Sequence, residues 1–66
     1  MKRVILTDSQ TGVTRLFQNP PWRLGRIRQQ KGSNNFDVHM IHEDGQEMTI
    51  NVNADPVSLQ NRFKDW

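Results

Sequence analysis

The 66-residue chain has no cysteine and no tyrosine, only four glycines and three prolines, and no apolar run approaching the length of a membrane span. Without cysteine there is no disulfide framework and no thiolate for metal binding or nucleophilic attack, the usual supports of a miniature secreted domain. A reducing, cytoplasmic setting is therefore expected. The start, "MKRVILTDSQ", is basic but carries only the short apolar run Val4 to Leu6, where a signal peptide needs roughly seven to fifteen such residues. Spanning a bilayer takes about 20 apolar residues; no membrane association is expected. The four glycines are scattered, so no glycine-rich phosphate loop can form.

A chain of this size is read as one domain, residues 1–66, with a small core, because a domain of about 60 residues buries only about 60% of its unfolded surface. Its formal net charge of +2 is unevenly distributed. Residues 1–31 carry Lys2, Arg3, Arg15, Arg23, Arg26, Arg28 and Lys31 against Asp8 alone, a net +6. Residues 32–66 carry Arg62 and Lys64 against Asp37, Glu43, Asp44, Glu47, Asp55 and Asp65, a net −4. Such a chain is dipolar if the fold keeps its halves apart, and could then steer an anionic partner or self-associate head to tail.

The strongest local signal is "NFDVHMIHEDGQEMTINV", two alternating segments around an Asp-Gly turn. A three-residue loop, Glu43-Asp44-Gly45 with Gly45 left-handed, pairs Met40 with Met48, Val38 with Ile50 and Phe36 with Val52. That register gathers six apolar side chains on one face, which a two-residue turn would not. A first hairpin is expected from Val4-Ile5-Leu6 and from Val13, Leu16 and Phe17, joined near Gly12, with several registers open. At the other end Asp55 can cap a helix and Pro56 suits its first position. Leu59, Phe63 and Trp66 then form one apolar stripe, with Arg62 and Lys64 towards water.

"WRLGRIRQQK" (residues 22–31) admits two readings. As a helix it offers only Leu24 and Ile27 as an apolar pair, with Gly25 in its interior at a cost of about 1 kcal/mol. As a strand it needs a bulge at Gly25 and Arg26 to place Trp22, Leu24 and Ile27 on one face and Arg23, Arg26 and Arg28 on the other. The strand is preferred. Strands are expected at about 2–7, 13–18, 22–29, 35–42 and 46–53, and a helix at about 56–65. The fold class is mainly β (α+β), a small five-stranded half-open barrel with a short C-terminal helix. The alternative is a duplicated ββα unit, because "NPPWRLGRI" and "DPVSLQNRF" occupy corresponding places after each hairpin.

The order "GRI", loop, "FDV", "EDG", "TINV" resembles small Tudor or KOW-type barrels over roughly residues 22 to 60, as a pattern of elements without a diagnostic motif. The lack of tyrosine argues against an aromatic cage for methylated side chains.

No constellation identifies a reaction. His39 and His42 lie three apart, on opposite faces of a strand, with no cysteine or third histidine to complete a tetrahedral metal site. Ser9, Ser33 and Ser58 have no neighbouring base. The expectation is a non-enzymatic binding module with no catalytic residues, metal or cofactor. Its leading partner class is nucleic acid, DNA or RNA, held by its phosphates on Arg23, Arg26 and Arg28, with Arg15, Lys31 or Lys2 extending the surface. Arginine suits this role because its guanidinium is planar and weakly hydrated. The bland alternative is that the arginines keep a strand soluble and guard its edge. The rival function is a protein-interaction adaptor or inhibitor, acting through the Leu59-Phe63-Trp66 stripe or as a homodimer. Small basic proteins without cysteine are common among accessory proteins.

Overall fold

The computed structural model describes residues 2–64 and Trp66. Its elements follow in the order β1 (Lys2–Thr7), β2 (Thr14–Asn19), β3 (Trp22–Gln29), β4 (Asn35–His42), β5 (Glu47–Asn53) and α1 (Pro56–Arg62). The fold is mainly β, with two antiparallel sheets, β1-β2 and β3-β4-β5. Among the described residues no hydrogen-bonded ladder joins the two sheets.

Residues 22–29 are strand, so the duplicated ββα alternative is corrected: no helix follows Pro20 and Pro21. The physical reason is the distribution of apolar groups. A strand with a register shift between Leu24 and Arg26 turns Trp22, Leu24 and Ile27 together against the core. A helix would have buried only two of them.

The β4-β5 hairpin pairs Phe36 with Val52, Val38 with Ile50 and Met40 with Met48. Its loop closes with the His42 amide donating to the Gln46 carbonyl at 2.7 Å. Gly45 there has φ 95°, a left-handed conformation that glycine adopts without steric cost. In the β1-β2 hairpin Val4 faces Phe17 and Leu6 faces Arg15. Val4, Leu6 and Phe17 are buried. The same register turns Ile5 and its partner Leu16 outward, 59% and 52% exposed.

Among the described residues nine side chains make the core: Val4, Leu6, Phe17, Phe36, Val38, Met40, Ile50, Val52 and Leu59. Trp22 wedges between the sheets, edge-on to Phe17 at 5.1 Å and to His42 at 4.9 Å, a geometry favoured by the ring quadrupole. The Asp55 carboxylate caps α1, accepting from the amides of Val57 (3.1 Å) and Ser58 (3.3 Å). α1 stops at Arg62, short of the expected 65. Beyond it the Phe63 amide donates to Gln60 (3.1 Å) and the Trp66 amide to Phe63 (3.1 Å), each reaching back three residues. These tighter turns bring Phe63 and Trp66 against the core, edge to face at 5.6 Å. Asp65, inside the expected span, lies outside the described residues. No helix among the described residues is long and apolar enough to cross a membrane.

Candidate functional site

β3 forms one edge of the three-stranded sheet, and its bulge decides which way its arginines point. On β3 the residues opposite Ile41, His39 and Asp37 of β4 are Arg23, Arg26 and Arg28. Directly opposed residues of an antiparallel pair share a face. All three arginines therefore lie on the outer face, and all are exposed. The register shift falls at Gly25. A Cβ at that position would stand 2.9 Å from Ile41 Cδ1 and 3.2 Å from the His39 carbonyl oxygen, too close for a side chain. Arg26 and Arg28 are two residues apart on an extended strand, about 6.7 Å at the usual rise per residue.

The acidic side chains sharing this face are engaged elsewhere. Asp37 accepts from Asn51 Nδ2 at 3.0 Å, and Glu47 Oε1 lies 2.7 Å from His39 Nε2. Among the described residues the only side-chain ion pairs are His39–Glu47 and His42–Asp44. Arg23, Arg26 and Arg28 thus line one strand without a side-chain ion pair among the described residues, with Asp37 standing opposite Arg28 on the same face.

The remaining candidates are distributed differently. Lys31 is exposed in the turn after β3, three residues beyond Arg28. Arg15 does not join the β3 arginines. It sits opposite Leu6 on β2 and borders a shallow depression with Asp8, Thr11, Val13, Met48, Thr49 and Ile50. That places it beside β5, two strand spacings or about 10 Å across the sheet from β3. Lys2 lies at the start of β1, opposite Asn19. The two halves of the chain are also interleaved: basic β3 ladders with acidic β4, and the first hairpin touches β5. The segmental charge split thus does not become two separate faces.

His39 and His42 are held apart. His39 is on the outer face with Glu47, while His42 packs edge-on to Trp22, its Nδ1 2.9 Å from Asp44 Oδ1. No group of three or more His, Asp or Glu among the described residues is placed to share a metal ion.

Two features escaped sequence reasoning. Asn51, an outward residue by alternation, is 7% exposed. The β1-β2 turn covers it: its carbonyl accepts from the Ser9 amide at 2.7 Å, and its side-chain oxygen accepts from Ser9 Oγ. Its amide points at Asp8 Oδ2, 3.4 Å away. Asp8 also accepts from the amides of Gln10 (2.8 Å) and Thr11 (3.1 Å). These donors, Gln10 first, hold its carboxyl below the ordinary value of 3.8. The second feature is an apolar groove of about 600 Å³ between β3 and α1, floored by Leu24, Ile27, Phe36, Leu59 and Phe63 and rimmed by Lys64.

No family model matches the chain, and neither does any curated protein or solved structure.

Proposed function

We propose that this protein is a non-enzymatic binding module that holds nucleic-acid phosphates on the outer face of β3. The observation that carries the reading is the line Arg23, Arg26 and Arg28 on a rigid strand, without an ion pair among the described residues and with exposed Lys31 in the turn beyond it. Guanidinium groups bind phosphate oxygens bidentately, and each neutralised phosphate releases counterions, so affinity comes from the backbone rather than from base identity. The aromatic rings support the same division. Phe17 and Phe36 are buried, and Trp22, Phe63 and Trp66 are half-buried against the core, so among the described residues no aromatic ring stands fully exposed as a platform of the kind single-strand binders use. Binding is then predominantly electrostatic, with little sequence preference. Arg15, lying beside β5, makes no contact with the same stretch of backbone in this reading.

The half-open barrel belongs to the proposal too. β1 lies near β5 and β2 near β3, a neighbour order that supports this reading. A cytoplasmic accessory protein is the setting that fits the cysteine-free composition.

The test is binding to generic duplex and single-stranded probes as salt is varied. The expected result is affinity that falls linearly in log-log form with salt, on both probes. No detectable binding below about 50 mM salt, where phosphate contacts are strong, transfers the assignment to a protein partner.

Homodimerisation is a second reading, favoured by the exposed Ile5–Leu16 pair rather than by α1. The apolar stripe of α1 is spent on the protein's own core: Leu59 is 1% exposed, and Phe63 and Trp66 lie against the core. A monomeric mass in solution at high concentration removes this reading.

A further inference from the structure

The hydrogen-bond parity of β3 determines which of its main-chain groups are free. Antiparallel partners alternate between pairs that exchange both hydrogen bonds and pairs that exchange none. The Gln30 amide donates to the Asn35 carbonyl at 2.8 Å, so Gln30–Asn35 is a bonded pair, and in the same register so are Arg28–Asp37 and Arg26–His39. The β4-β5 side agrees, since the His42 amide bonds Gln46 across that hairpin and thereby commits the even-numbered residues of β4 to β5. It follows that the N–H and C=O groups of Ile27 and Gln29 point away from β4, to the open edge. Among the described residues nothing bonds them.

The side chain of Ile27 faces the groove, and its flanking residues Arg26 and Arg28 face outward. A strand added antiparallel at this edge, continuing the order of the sheet, therefore meets a defined chemistry. Its residue opposite Ile27 directs its main chain at β3 and its side chain into a groove lined by Leu24, Phe36, Leu59 and Phe63. The residues on either side of that one lie beside Arg26 and Arg28.

From this we infer that the β3 edge and its groove bind an extended segment of a protein partner in which apolar and acidic residues alternate. The main chain supplies affinity and the groove selects the apolar side chain, the division of labour typical of strand addition. Arg26 and Arg28, which make no ion pair among the described residues, select carboxylates together with Lys64 on the rim. This second ligand shares those arginines with the phosphate strip but depends on atoms the strip does not use, namely the Ile27 and Gln29 main chain and the groove. Nucleic acid and peptide accordingly compete.

The probe is an acetylated, amidated octapeptide alternating leucine with aspartate, titrated into isotope-labelled full-length protein and followed by amide chemical shifts. Saturable binding is expected, with the largest shifts at Leu24, Ile27, Gln29 and Phe63. N-methylation of the leucine amides is expected to weaken it at least tenfold, and N-methylation of the aspartate amides, which point away from β3, to leave it nearly unchanged. A Gln29→Pro variant loses an unpaired main-chain donor, which edge positions facing solvent tolerate, together with the exposed bond from Gln29 Nε2 to the Ser33 carbonyl. It is expected to lose the peptide at least tenfold while still binding duplex DNA. No binding of the octapeptide, equal binding after leucine N-methylation, or equal binding when serine replaces every leucine overturns the inference. Those outcomes leave the phosphate reading standing, because it is tested separately by duplex binding and its salt dependence.

Discussion

At the β5 edge of the three-stranded sheet, the outward main chain of Asn51 is taken up by Asp8 and Ser9 of the first hairpin. At the β3 edge the corresponding groups of Ile27 and Gln29 meet no described residue, and charge stands where a cover would be. An unpaired edge invites association, and natural sheets blunt it with bulges, charges or a covering segment. Here the two solutions are divided between the two edges of one sheet. Sealing β5 consumed a buried asparagine, a serine and an aspartate from a turn some forty residues away. The open β3 edge carries a bulge and three arginines, the same features on which the proposed phosphate binding rests.

The largest perturbation breaks the seal from beneath. Leu6 is fully buried and anchors the hairpin whose turn covers β5. Leu6→Ala is expected to destabilise the protein by about 2–5 kcal/mol, read as a lower urea midpoint. A smaller effect is expected from Asn51→Ala, which strips Ser9 and Asp37 of their partner. Its cost is about 0.5–1.5 kcal/mol, the net range for a lost hydrogen bond, because exposed Ser9 and half-buried Asp37 can turn to water, with β3 binding unchanged.

Acid separates the edges by chemistry. The folded-state value for Asp8 is depressed, so its stabilisation is fully present above the ordinary value of 3.8 and is lost as pH falls through the lower folded value. The stability difference between wild type and Asp8→Asn is therefore expected to be largest near neutrality and to shrink progressively below pH 3.8. Asp44, whose carboxyl is likewise lowered, first by the Gln46 amide, adds a background loss common to both proteins. Hydrogen exchange sharpens the contrast without mutation: the Asn51 and Ser9 amides are expected to exchange more slowly than those of Ile27 and Gln29. Equal rates at the two edges would mean that the hairpin turn does not cover β5.

These contrasts also explain what could be read from the chain in advance. The β4-β5 register was legible because Phe36, Val38 and Met40 alternate strictly and Gly45 permits one loop. β3 was legible because only a bulged strand puts Trp22, Leu24 and Ile27 on one side. The first hairpin was not, since Val4-Ile5-Leu6 is apolar at every position and offers no parity. Its register emerges only when Leu6 and Phe17 meet the second sheet. Asn51 looks like any solvent-facing strand residue until a distant turn lands on it. The groove beside β3 arises from the angle at which α1 packs, and α1 ends early because Phe63 is drawn down to the core, neither of which has a local signature. Likewise Arg15 belongs with Arg23, Arg26 and Arg28 by charge alone. Strand order, invisible in composition, separates it from them.

The most direct test of the open edge as the working surface is the salt dependence of duplex binding for wild type and for a variant carrying Arg23→Gln, Arg26→Gln and Arg28→Gln together. Exposed substitutions of this kind change stability by no more than about 0.5 kcal/mol each, so the variant is expected to remain folded. If each arginine neutralises one phosphate, the slope of log affinity against log salt falls by about 0.9 per residue. A folded triple variant that binds with an unchanged slope would show that the three arginines only keep the edge soluble, and would contradict the assignment.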